Sequence, residues 1–209
     1  MSGRDPLRRV GIPFVVSGPS GVGKSTLLRE VLSRDPEVAF CVSHTTRPYR
    51  PGERDGVDYH FVDEASFDRL VGDDAFLEWA TYGGNRYGTS REALEGPTRE
   101  GIDLILEVEV QGARQLRERL PGAEFVFVLP PSAECLEERL RGRGSDSEDA
   151  ILKRLERARE EMAEVERYDY IIVNDELERA VKGLLLVVGA CRLKRPRVLP
   201  ALRGRLELD

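Results

Sequence analysis

The chain has 209 residues, 40% of them hydrophobic, and its 32 Lys and Arg stand against 38 Asp and Glu for a net charge of -6. That length buries one sizeable core with room for a small attached lobe, so a single domain over residues 1–209 is expected. The acidic balance argues against nucleic acid as a partner, no apolar run approaches a bilayer span, and the start MSGRDPLRRV lacks the apolar centre of a secretory signal, so a cytoplasmic protein without membrane contact is expected.

The first element is the apolar run IPFVVSG, Ile12 to Gly18, which reads as a buried strand entering a turn, with a helix after it. GPSGVGKS, Gly18 to Ser25, fills the GxxxxGK[ST] pattern in the strand–turn–helix setting that the pattern requires. Gly18, Gly21 and Gly23 let the backbone aim its N–H groups at phosphate oxygens, and the helix N-terminus adds partial positive charge. Lys24 is expected to reach the β and γ phosphates, and Ser25 to place its hydroxyl on Mg2+. This P-loop, which takes in Pro19, Ser20, Val22 and Thr26 as well, specifies a nucleoside triphosphate and leaves the acceptor open.

Between about 42 and 88 the texture changes to short aromatic and turn-rich pieces, RPGERDG, DYHFV, AFLEWATY and GGNRYG, which read as an antiparallel insertion. Apolar runs at Ile102 to Val110, Glu124 to Leu129 and Tyr170 to Val173 then alternate with helical patterns, the signature of a parallel sheet covered by helices. The core is thus placed at about 10–41 and 89–195. Glu107 and Glu109 are expected at the carboxyl end of their strand, on one face by its period of two. RGRGSDSED reads as a mobile lid, about 139–154, with Ser145 and Glu148 at capping-box spacing to start the next helix. Leu177, Val181, Leu184, Leu185 and Val188 mark the last helix, which precedes the basic tail CRLKRPR. Cys41, Cys135 and Cys191 make no CxxC pair and read as buried free thiols. The fold class is α/β.

VSHTTRPYRPGERDGVDYHFV from Val42, FLEWATYGGNRYGTSRE, ILEVEVQGA, LPPSAECLEERLRGRGSDSED and YDYIIVND, in this order with the P-loop, resemble the guanylate kinases over nearly the whole chain. The resemblance implies a P-loop NTPase fold with a small GMP-binding insertion and a lid, and transfer of the γ-phosphoryl group of ATP to GMP, and to dGMP with it, using Mg2+. It places the guanine on Glu78, Ser43 and Thr89, and the GMP phosphate on Arg47, Arg50, Tyr59 and Tyr87. One carboxylate can accept from both N1–H and the 2-amino group of guanine, a donor pair that adenine lacks, and guanidinium forks suit a phosphate dianion. Glu107 and Glu109 are implied at Mg2+, through water, or at the guanine edge, with their division left open. Arg143 and Arg154 match the lid arginines, which join Lys24 and Arg47 as catalytic residues, while Arg139 and Asn174 are implied on the ATP side. His44 and His60 are rejected as catalysts, because transfer to an ionised phosphate needs no general base. Arg157 and Arg159 are assigned to a charged helix surface. Monomer and homo-oligomer both stay open.

Overall fold

The protein is described from a computed structural model, which covers residues 9–142 and 147–206. Five strands, β1 (Pro13–Ser17), β2 (Val38–Phe40), β7 (Asp103–Glu107), β8 (Glu124–Leu129) and β9 (Tyr170–Val173), form a parallel sheet in the order β2–β7–β1–β8–β9. Phe14 stands beside Ile105 on one side and Glu124 on the other, and Val15 beside Leu106 and Phe125.

Alternation along these strands builds two cores. Phe14, Val16, Ile105, Val126 and Val128 face one side, packed by Leu27, Leu28 and Val31 of α1 (Lys24–Arg34) and Val181, Leu184 and Val188 of α7 (Leu177–Arg192). Val15, Leu104, Leu106 and Phe125 face the other, against Leu94 of α3 (Arg91–Arg99) and Ala113 and Leu116 of α4 (Val110–Arg119). Burial on both faces is why β1, β7 and β8 read as unbroken apolar runs, each fully buried side chain contributing about 1.5–3 kcal/mol. Neighbours β1 and β8 send their following connections to opposite edges of the sheet, to β2 and β9, which opens a crevice at their carboxyl ends.

The second sheet runs β4–β3–β6–β5, from β3 (His44–Thr45), β4 (His60–Phe61), β5 (Phe76–Tyr82) and β6 (Asn85–Ser90). Its β3–β6 and β5–β6 pairs are antiparallel, whereas β3 and β4 run parallel, so the insertion is mixed at that edge. The loop of 46–59 returns β4 in the direction of β3, and α2 (Glu64–Gly72) follows, capped by Asp63, whose carboxylate accepts from the Ser66 amide at 2.7 Å.

Three expectations need correction. The strand expected over Ile102 to Val110 stops at Glu107, because Glu109 is already the residue before α4. The helix after the lid, α6 (Glu148–Met162), begins on Ser147, whose hydroxyl accepts from the Ala150 amide at 3.3 Å; Ser145 lies outside the described residues. α7 is not the last helix, since α8 (Arg195–Leu206) follows it. The basic junction of the two helices, Arg192 to Arg197, packs on the sheet's amino end. Arg192 Nε donates to the fully buried Asp103 carboxylate at 2.8 Å, while Lys194 and Arg197 hold Glu124 at 2.6 and 2.7 Å. Each buried acid at the start of a strand thus has its counter-charge. Cys41 and Cys191 are buried and Cys135 half-buried, all with free thiols.

Candidate active site

A cleft of about 550 Å³ runs between the P-loop and the second sheet, at the carboxyl ends of β1 and β7. Its floor is set by backbone sterics. Gly18 has φ +149°, and a Cβ there would stand 2.3 Å from the Val128 carbonyl oxygen, so the loop can leave β1 only with glycine at this position. Gly23, at φ +93°, is the residue before α1, and no side chain caps the helix. The first-turn amides of α1 therefore remain available to an anion, aided by the helix dipole. Lys24 lies across this mouth, its ammonium donating to the carbonyls of Gly18 and, at 3.3 Å, Pro19.

The loop is braced from behind. Val22 is fully buried, and its carbonyl accepts from Asn174 Nδ2 at 2.8 Å and from Arg139 at 3.1 Å; Arg139 also donates to the Asn174 carbonyl at 2.8 Å. Both residues thus contact the P-loop and do not line the cleft. Arg154, on α6, donates to the Ser20 hydroxyl at 2.8 Å. Arg143 lies outside the described residues.

Ser25 Oγ donates to Glu107 Oε1 at 3.0 Å. A hydroxyl and a carboxylate so placed beside open amides make an all-oxygen donor set that fits Mg2+, a hard cation that keeps several waters and takes phosphate oxygens. Glu109 lines the same cleft. Its carboxyl is pushed above the usual range by burial, with Lys24 pulling the other way and Glu161 adding to the rise.

At the opposite wall, Glu78 on β5 faces Thr89 on β6 across an irregular step in the pair. Thr89 Oγ1 donates to Glu78 Oε1 at 2.7 Å, and Ser43 Oγ lies 3.3 Å from Thr89 Oγ1. Glu78 is 5% exposed, and burial raises its carboxyl, against the opposing hydrogen bonds from Thr89. The chain thus holds a desolvated carboxylate beside two hydroxyls, a set that accepts paired N–H donors and offers O–H to a carbonyl. Arg47, Arg50, Tyr59 and Tyr87 line the cleft between this wall and the P-loop. The Tyr59 and Tyr87 rings meet edge-to-face at 5.9 Å, and the Arg47 guanidinium sits 5.4 Å from the Tyr59 ring centre. Burial pushes the Tyr59 phenol up, and Glu107 adds to it.

Several residues escaped the sequence reading. Glu53 holds Arg47 at 2.6 Å and accepts from the Arg50 amide at 2.8 Å, so it orients the cationic pair; its place in the turn RPGERDG was the available signal. Arg157 is more than a solvated helix charge: it donates to Glu161 at 2.9 Å, reaches to 3.7 Å from Glu109 and lies 4.4 Å over the ring of Tyr82, a cleft residue. The His44 and His60 rings lie tilted against each other, their centres 4.7 Å apart, and stay outside the cleft lining. Burial, then the charge of His60, brings His44 down to about 4.

The chain matches the family model described as guanylate kinase over residues 11–190. It is 47% identical to the guanylate kinase of Neisseria gonorrhoeae, covering 95% of this chain and 97% of that protein. With the guanylate kinase of Geobacter sulfurreducens the identity is 46%, over 97% of this chain and all of the relative. The crystal structure of guanylate kinase from Anaplasma phagocytophilum superposes with a TM-score of 0.78 at 32% identity, covering 97% of this chain and 99% of that one.

Proposed function

Since the chain belongs to the guanylate kinase family and is an enzyme that transfers the γ-phosphoryl group of ATP to GMP, we propose that its cleft is divided between a donor end at the P-loop and an acceptor end on the second sheet. The observation that supports this division is the buried Glu78, with Thr89 and Ser43 beside it, standing across the cleft from the open amides of α1. Glu78 accepts from N1–H and the 2-amino group of guanine, Ser43 donates to its O6, and Thr89 turns its one proton from Glu78 to O6 once the guanine N–H groups take its place on the carboxylate. Arg47, Arg50, Tyr59 and Tyr87 hold the acceptor phosphate, so its attacking oxygen faces the P-loop; dGMP is accepted alongside GMP. Gly18 to Thr26 cradle the ATP phosphates, and Arg139 and Asn174 keep that loop in shape next to the adenine.

Ser25 and Glu107 are the residues that would hold Mg2+, which when bound supplies positive charge to the phosphates. Catalysis rests on alignment and charge: Lys24 and Arg154 converge on the donor phosphates with Arg143 of the lid, and Arg47 brings the acceptor. GMP closes the insertion of 42–88 and ATP the lid of 139–154 over the core, which expels water that would otherwise hydrolyse ATP. The net charge of -6 favours no nucleic-acid partner, no described helix is long and apolar enough to cross a membrane, and the enzyme works in the cytoplasm, where both nucleotide pools lie.

A coupled assay with ATP and a panel of monophosphates tests the division. GMP and dGMP are turned over, and AMP, CMP and UMP are not; comparable turnover of AMP would overturn it. Small-angle scattering with a non-hydrolysable ATP analogue tests closure, the expected result being a more compact particle when GMP is added.

A further inference from the structure

The carboxylate of Glu78 has two oxygens, and the hydroxyl of Thr89 accounts for one of them. The other, Oε2, points at the first turn of α4. There Gly112 is buried at the edge of the cleft, and a Cβ on it would lie 2.5 Å from Glu78 Oε2 and 3.2 Å from Cδ. A Cβ there would force the Glu78 carboxylate out of its place. The backbone of Gly112 is ordinary α-helix without a positive φ, and alanine is the better helix former, so neither conformation nor propensity calls for glycine. What glycine supplies at this point is room for a carboxylate.

One turn further along the same helix, Gln115 meets the residue next to Glu78. Its Oε1 accepts from the Trp79 amide at 3.2 Å, and its Nε2 donates to the Trp79 carbonyl at 2.9 Å. Since β5 is an edge strand, these peptide groups would otherwise have no ladder partner, and the side-chain amide of Gln115 takes the place of one. Gly112 and Gln115 are three apart and share a face of α4. That face therefore fixes both the strand that carries Glu78 and the space its carboxylate occupies.

We propose that α4 is the seat of purine selectivity, with Gly112 and Gln115 acting as positioning residues that set the direction of Glu78 toward the base. The inference rests on the reading of Glu78 as the carboxylate that binds guanine. It goes further, because it assigns selectivity to two residues of a core helix that need not touch the nucleotide.

The test is steady-state kinetics on Gly112→Ala, Gln115→Ala, Glu78→Gln and the double variant Gly112→Ala/Glu78→Gln, each confirmed folded by thermal melting. GMP and inosine monophosphate, which lacks the 2-amino group, serve as acceptors. Gly112→Ala is expected to raise KM for GMP about tenfold or more, as a displacement on the ångström scale does. It should lower the preference for GMP over inosine monophosphate, while KM for ATP moves less than about twofold. The double variant should be no worse than Glu78→Gln alone, since residues acting through one group are not additive. Gln115→Ala, which introduces no clash, should shift the same preference in the same direction. An unchanged preference in both Gly112→Ala and Gln115→Ala, an equal loss on the ATP side, or multiplying defects in the double variant would overturn the proposal while leaving Glu78's role intact. If Glu78→Gln by itself leaves the preference unchanged, the reading of Glu78 fails and the proposal with it.

Discussion

Thr89 Oγ1 donates to Glu78 Oε1 at 2.7 Å from the neighbouring strand, so a buried carboxylate is held ready on the wall of the cleft before any nucleotide arrives. Replacement of Glu78 by Gln keeps the shape and removes the charge. We expect kcat/KM for GMP to fall by about a hundredfold, the worth of a charge-assisted hydrogen bond lost from a buried site, in a protein that still melts cooperatively. Kinetics with GMP and AMP check this.

The same residue predicts a pH dependence. Burial holds the Glu78 carboxyl above its ordinary value, and guanine binding needs it ionised. KM for GMP should therefore rise as pH falls through that elevated pKa, with KM for ATP less affected. Glu78→Gln should abolish this limb of the profile, and a profile identical in the two proteins would refute the assignment.

Ser25 and Glu107, 3.0 Å apart, predict a shared dependence on the metal. Removal of Mg2+ with a chelator should stop turnover and its return restore it. Ser25→Ala and Glu107→Gln should each raise the Mg2+ concentration for half-maximal rate by about tenfold or more, the scale on which a lost metal contact acts. Titration of rate against Mg2+ is the readout.

Arg157 stands between two carboxylates, 2.9 Å from Glu161 and 3.7 Å from Glu109. Arg157→Ala takes the guanidinium from between that acidic pair at the cleft edge, and we expect kcat/KM to fall by about tenfold, or ~1.4 kcal/mol. Arg159→Ala, two positions along the same helix and exposed, should change the rate less than twofold. Equal effects of the two would return Arg157 to the solvated surface.

Glu124 predicts where stability is lost in acid. Burial alone would push its carboxyl up, but Lys194 and then Arg197 outweigh that and hold it below the ordinary 4.5. A depressed folded value means the contribution is present above the unfolded pKa and disappears as pH falls through the folded one. Glu124→Gln should cost about 2 kcal/mol in urea unfolding at pH 7 and little below the carboxylate range.

What was legible in the sequence was whatever is contiguous. Glu124–Leu129 and Tyr170–Val173 are strands at the bounds their apolar runs suggest: β8 is covered on both faces and takes apolar residues from Phe125 onward, whereas β9, at the sheet edge, buries Ile172 and leaves Ile171 and Val173 exposed. By contrast, the start of α6 on Ser147 was missed by two residues because several serines and acids in RGRGSDSED fit a capping pattern equally well. The parallel pairing of β3 with β4 was missed because two-residue strands carry no period to read.

Sequence alone determined the P-loop, because eight consecutive residues encode a backbone path and its amides need no distant partner to bind phosphate. Tertiary structure decided that Gly112 faces Glu78, that Gln115 completes β5, that Arg157 reaches Glu109, and that the basic residues from Arg192 to Arg197 cover Asp103 and Glu124. These pairs come from elements that cross only once the sheet has formed. A side chain's local pattern reports its own helix or strand, and says nothing of which remote carboxylate that element will be laid against.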